Sequence, residues 1–127
     1  MHLVLGDRRF DVRHRALVVG LLDDDRPVDE ALVDRPDALA ATSWSVAASL
    51  CDRVDVPVGV LVSPQQLEFA GERVDCVGPF AGAPPQRFAR VADAVVAGAR
   101  VVVSTEVRSD RRVVEVLARI LAAKDAS

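Results

Sequence analysis

Apolar residues fall in short runs separated by turn-forming residues, and the period within each run changes along the chain. Leu3–Leu5 and Arg9–Val12 flank Gly6-Asp7, the pattern of a β-hairpin. Ala16–Leu22 is an apolar run of strand length, and Asp37–Ala41 is a shorter one built from small residues. Pro27–Val33 between them reads as a short helix. Ser45–Val54 is helical in pattern, with Val46, Leu50 and Val54 four residues apart. Pro57–Val62 predicts a strand with Val58, Val60 and Val62 on one face. Gly59 and Leu61 on its other face are also apolar, which predicts burial on both sides. Ser63-Pro64-Gln65-Gln66 has the elements of a helix start: Ser63 can cap, Pro64 suits the first turn and Gln66 can close a capping box. This helix is expected to reach Ala70. Val74–Val77 reads as a fourth strand, and Gly78–Pro85 as a loop. Gln86–Gly98 is a helix with Phe88, Val91, Ala92, Val95 and Ala99 on one stripe. Arg100–Ser104 is a fifth strand. A last helix is expected from about Ser109, with Val113, Val116, Leu117, Ile120 and Leu121 facing inward.

The pattern is that of one α/β domain over residues 1–127: an N-terminal β-hairpin (1–14), then five βα units (15–127). Such units imply parallel strands joined by right-handed crossovers. Two architectures satisfy this. One is a partial or shortened (β/α) barrel with helices outside. The alternative is an open doubly wound, flavodoxin-like sheet with helices on both faces.

Composition narrows the chemistry. Of the 16 basic residues only Lys124 is lysine, and there is no asparagine or tyrosine. A Schiff-base lysine in the body of the chain and a phosphate-loop lysine are thereby excluded. The formal charge of −3, with arginine scattered throughout, leaves no electrostatic footprint for nucleic acid. No apolar run approaches a membrane span, and the first residues lack the pattern of a signal peptide. Cys51 and Cys76 are lone and widely spaced, the pattern of reduced thiols, so a cytoplasmic protein without metal or cofactor is expected.

Candidate site residues are sought at the carboxyl ends of the strands, where parallel α/β folds gather their functional groups. Asp23 and Asp24, in the acidic triplet after the first strand, could hold a divalent cation, although a solvated helix start is the simpler explanation of them. Thr42, Ser43 and Trp44 follow the second strand; the hydroxyls can cap a helix and Trp44 can stack on a flat ligand. Ser63 and Gln65 follow the third, Thr105 and Glu106 the fifth. No nucleophile elbow, dinucleotide fingerprint or phosphate loop occurs. Leu17-Val18-Val19 with the acidic triplet faintly resembles a response-regulator receiver. That family's Asp after the third strand and Lys after the fifth are missing, which removes the reading.

Two segments resemble dihydropteroate synthase, the pterin-binding (β/α)8 enzyme of folate synthesis. Leu5–Val12 with Arg15–Leu22 is similar to that family's hairpin and first barrel strand, and Ala97–Val107 with Arg111–Val116 to its last strand and helix. Val54–Val60 is similar to the approach to its third strand. The resemblance covers about half of the chain and implies a barrel-type scaffold. Its departures concern the site. The full barrel needs about 250 residues, against 127 here. Where the family has its Asn-Xaa-Thr-Pro-Asp-Ser-Phe motif, this chain has Asp23-Asp24-Asp25-Arg26-Pro27. Ala40 and Leu61 stand where the family has pterin-contacting and third-strand Asp residues. Val103 and Thr105 stand where it has the Arg and His that hold the substrate phosphate. Each lost partner would leave a polar pterin group unpaired, at about 1–3 kcal/mol.

The resemblance thus implies a non-catalytic relative with a structural or regulatory role linked to folate or pterin metabolism. The alternatives are a small enzyme using the acidic and hydroxyl groups of the rim with a cation, and a ligand-sensing regulatory domain. A half barrel would expose an apolar sheet face carrying residues such as Val58, Val60 and Val62. A homo-oligomer, or a protein partner covering that face, is therefore expected unless the strands close upon themselves or open into a doubly wound sheet.

Overall fold

The computed structural model describes residues 2–13, 15–22, 32 and 35–126. The hairpin forms as expected: β1 (His2–Leu5) and β2 (Arg8–Asp11) pair antiparallel around Gly6, whose φ of +63° suits the tight turn. The main sheet has six strands: β3 (Leu17–Leu22), β4 (Ala38–Ala41), β5 (Val58–Ser63), β6 (Gln66–Phe69), β7 (Glu72–Asp75) and β8 (Val101–Ser104). Their order is β7-β6-β5-β4-β3-β8. β8, β3, β4 and β5 run parallel, whereas β6 and β7 extend the sheet as an antiparallel meander.

Both faces are apolar, each for its own reason. On one face Val18, Leu39, Val60 and Val102 meet the helices α1 (Trp44–Cys51), α2 (Gln86–Val96) and α3 (Val107–Ala126). The other face gathers Leu17, Val19, Ala38, Ala40, Leu67, Phe69, Val101 and Val103 into a core free of helical residues. The sheet curls around this core as a half-barrel. Past β7 the chain crosses to the far edge, where Val77 bridges Val102 of β8. The Val77 amide donates to the Val101 carbonyl (3.0 Å), and the Val103 amide donates to the Val77 carbonyl (2.8 Å). The hairpin covers the amino ends of the strands. Leu5 and Val12 are buried in the inner core, and Arg8 Nη2 donates to the Asp55 carbonyl just ahead of β5 (2.8 Å).

Several expectations need correction. The segment after β5 is strand, not helix. Gln66-Leu67-Glu68-Phe69 alternates polar and apolar with period two, and Leu67 and Phe69 are buried. Ala70 (φ +49°) and Gly71 (φ +85°) then form a two-residue hairpin turn of the kind that needs positive φ at both positions. The third βα unit is therefore a β-meander. The strand expected at Val74–Val77 is Glu72–Asp75, followed by the single bridge at Val77. Val58 and Val60 lie in register with Leu39 and Ala41 and pack on the helix side, not the inner one, while Val62 is exposed. The inner face is buried by the curl and by the hairpin, which removes the exposed sheet face from which self-association was expected. All three described helices pack on one face, unlike the doubly wound alternative. The last helix begins at Val107 and buries Val107, Asp110 and Val114, leaving Val116 and Ile120 exposed. The helix expected at 27–33 lies outside the described residues except for Leu32, which packs with Leu22, Leu39 and Leu50.

Candidate functional site

Because β4, β5 and β8 run parallel, the residues that follow them share one rim. Thr42 is exposed after β4. The Ser43 hydroxyl caps α1 by accepting from the Val46 amide at 3.3 Å, and Trp44 opens the helix with its side chain in solvent. Ser63 closes β5 and pairs with Gln66 across the turn formed by Pro64 and Gln65. Gln65 is exposed, and its carbonyl accepts from the Cys76 amide at 2.8 Å. Thr105 and Glu106 follow β8, both exposed. Asp23 and Asp24 lie outside the described residues.

The charge-bearing centre of this rim is a buried network missed by the sequence reading. Arg87, on the first turn of α2, is 4% exposed and points beneath the start of α3. Its Nη2 donates to Asp110 Oδ1 at 2.6 Å, and its Nη1 to Glu106 Oε2. The other Asp110 oxygen accepts from Ser104 Oγ at 2.5 Å, and Ser104 Oγ in turn accepts from the Glu106 amide at 3.0 Å. Burial disfavours the Arg87 charge, but the hydrogen bonds to Asp110 and Glu106 outweigh it and hold the guanidinium above its ordinary pKa. Four side chains from β8, α2 and the α3 entrance thus satisfy one another. The network locks α2 to α3 and fixes the path of Thr105 and Glu106.

A signal for this network exists in the sequence. Arg87 lies four residues before Val91 and eight before Val95, on the buried stripe of α2. Asp110 lies three after Val107 and four before Val114, on that of α3. Opposite charges on two facing apolar stripes imply a buried pair.

At the opposite rim Arg15 grips Asp37 with two 3.2 Å bonds, and Asp37 Oδ2 accepts from the Val18 amide at 2.9 Å. This fork ties the start of β3 to the residue before β4. Both cysteines are free. Burial, reinforced by the neighbouring Asp75 carboxylate, pushes the Cys76 thiol up to about 11. Among the described residues no three His, Cys, Asp or Glu side chains stand together to hold a metal, and no helix is long and apolar enough to cross a membrane. No family model, characterised protein or solved structure matches the chain.

Proposed function

We propose that the chain is a non-catalytic protein derived from a pterin-binding barrel, acting as a structural or regulatory partner and not as a synthase. One observation carries this reading. Ala40 and Val103, at positions where the resemblance expects substrate-holding groups, are fully buried in the inner apolar core, with Leu61 packed against it. A pterin ring brought to that face would meet hydrocarbon, and its ring nitrogens and carbonyl would lose their water partners without replacement. Among the described residues the one buried cation of the rim, Arg87, is already committed to Glu106 and Asp110. Titration calorimetry with a pterin and a phosphorylated pterin, coupled to an assay for the family's condensation product, tests the reading. The expected result is no saturable heat and no turnover. Stoichiometric binding in the micromolar range, or product formation, would overturn it.

A further inference from the structure

α2 and α3 both begin at the Arg87 network, pack side by side and run in the same direction over the outer face. Between them lies an open groove of about 450 Å3 whose walls include Phe88, Ala92, Val113, Val116 and Leu117. Val96 on α2 and Ile120 on α3 extend the same strip by one turn. Val96, Val116 and Ile120 are 66%, 55% and 57% exposed. Single exposed apolar residues are ordinary on a protein surface, but a continuous strip along two neighbouring helices is the form of a helix-binding groove. On α3, Val113, Val116 and Ile120 follow a three-then-four spacing, the seam along which helices pair.

Charge selects the occupant. At 100° per residue, Arg108, Arg112, Glu115 and Arg119 form a ridge along α3 on the solvent side of the strip; Glu115 is held by Arg111, and Arg112 also forms part of the groove wall. Beyond the strip on α2 stand Asp93 and Arg90, of opposite sign. The flanks are therefore net positive. A second copy fits poorly along this seam. Antiparallel pairing of two α3 helices sets the Arg112–Arg119 edge against itself, and parallel pairing sets Arg119 opposite Lys124. A helix with carboxylates beside its apolar face meets a net favourable charge.

We propose that this groove docks an acidic amphipathic helix of another polypeptide. The proposal rests on the reading of the chain as a protein-binding scaffold, and adds the surface and the kind of partner. The probe is a synthetic helical peptide with leucines along one face and glutamates on its flanks, titrated by fluorescence anisotropy. A second peptide with lysine at every glutamate position serves as comparison. The acidic peptide is expected to bind saturably, and the lysine peptide at least tenfold more weakly. Val116→Glu, at an exposed position, weakens binding at least tenfold. Arg112→Glu with Arg119→Glu reverses the preference in favour of the lysine peptide. Absence of binding, equal binding of both peptides, or sedimentation showing a dimer that Val116→Glu dissociates would each overturn the proposal. Pterin binding would instead overturn the functional reading, so the two failures are told apart.

Discussion

Arg87 and Asp110 together place a cation and an anion where hydrocarbon would otherwise pack, and each is tolerable only while the other is present. Removing one partner strands a buried charge, a loss of about 3–5 kcal/mol. Arg87→Met is accordingly expected to lower stability by several kcal/mol in a urea melt. Arg87→Met combined with Asp110→Leu should recover much of that loss, because no charge is then left stranded. Glu106 is largely exposed, and Glu106→Gln should cost under about 1 kcal/mol in the same experiment. Cys76 supplies a pH dependence. Its folded pKa, about 11, lies above the ordinary 9.0, so the folded state keeps its proton longer than the unfolded chain does. Stability is then full below about pH 9 and falls towards pH 11, by on the order of 2 kcal/mol. With no tyrosine and one lysine, little else titrates in that window. Melts of the Cys76→Val variant across that range should show a clearly flatter profile. Arg87 escaped the sequence reading because the stripe of its helix was traced through apolar residues alone. Its spacing of four from Val91 placed it on the buried stripe, and position was the stronger signal.

Strands outnumber what the apolar pattern predicts, and the difference lies in one segment. Ser63-Pro64-Gln65-Gln66 carries the chemistry of a helix start, but the same residues also suit a tight turn. The deciding signal is downstream, where Leu67 and Phe69 alternate with polar residues and Ala70-Gly71 supplies the next reversal. A helix from Ser63 to Ala70 would have split that alternating pair between two faces; the strand buries both. The parallel strands and the hairpin were legible because their apolar runs are bounded by turn residues. The faces of β5 were not, since both are apolar and only pairing with Leu39 and Ala41 assigns them. Gly59 shows what that assignment demands. A β-carbon there would lie 2.7 Å from the Glu68 carbonyl oxygen and 2.8 Å from the Phe69 ring. Gly59→Ala is expected to cost roughly 1–3 kcal/mol in chemical denaturation. Adding Phe69→Leu should not restore it, because the carbonyl belongs to the backbone of the paired strand.

Over the whole molecule, the hairpin and the curl close off the inner face of the half-barrel. Leu5 and Val12 fill the amino end of the inner core, so the face that an open half-barrel would expose is covered by the chain itself. Truncating this plug should be felt across the molecule. Leu5→Ala is expected to cost about 2–5 kcal/mol by thermal melting, and deletion of residues 2–12 to give a chain that binds a hydrophobic dye and aggregates. Among the described residues, most of the large apolar side chains left exposed stand on the helices (Trp44, Val96, Val116 and Ile120), with Val62 on the sheet and Val4 on the hairpin.

The seating of β8 beside β3 also dictates the order of assembly. Leu17 pairs with Val101, roughly 80 residues further along the chain. β4 follows β3 closely in the chain, but the other edge of β3 stays open until Val101–Ser104 has left the ribosome. During synthesis the nascent chain therefore presents a strand with one open edge, and the late arrival of Val101–Ser104 closes it. Folding of this domain waits on a pairing of large sequence separation, and its most aggregation-prone moment comes just before Val101–Ser104 is made.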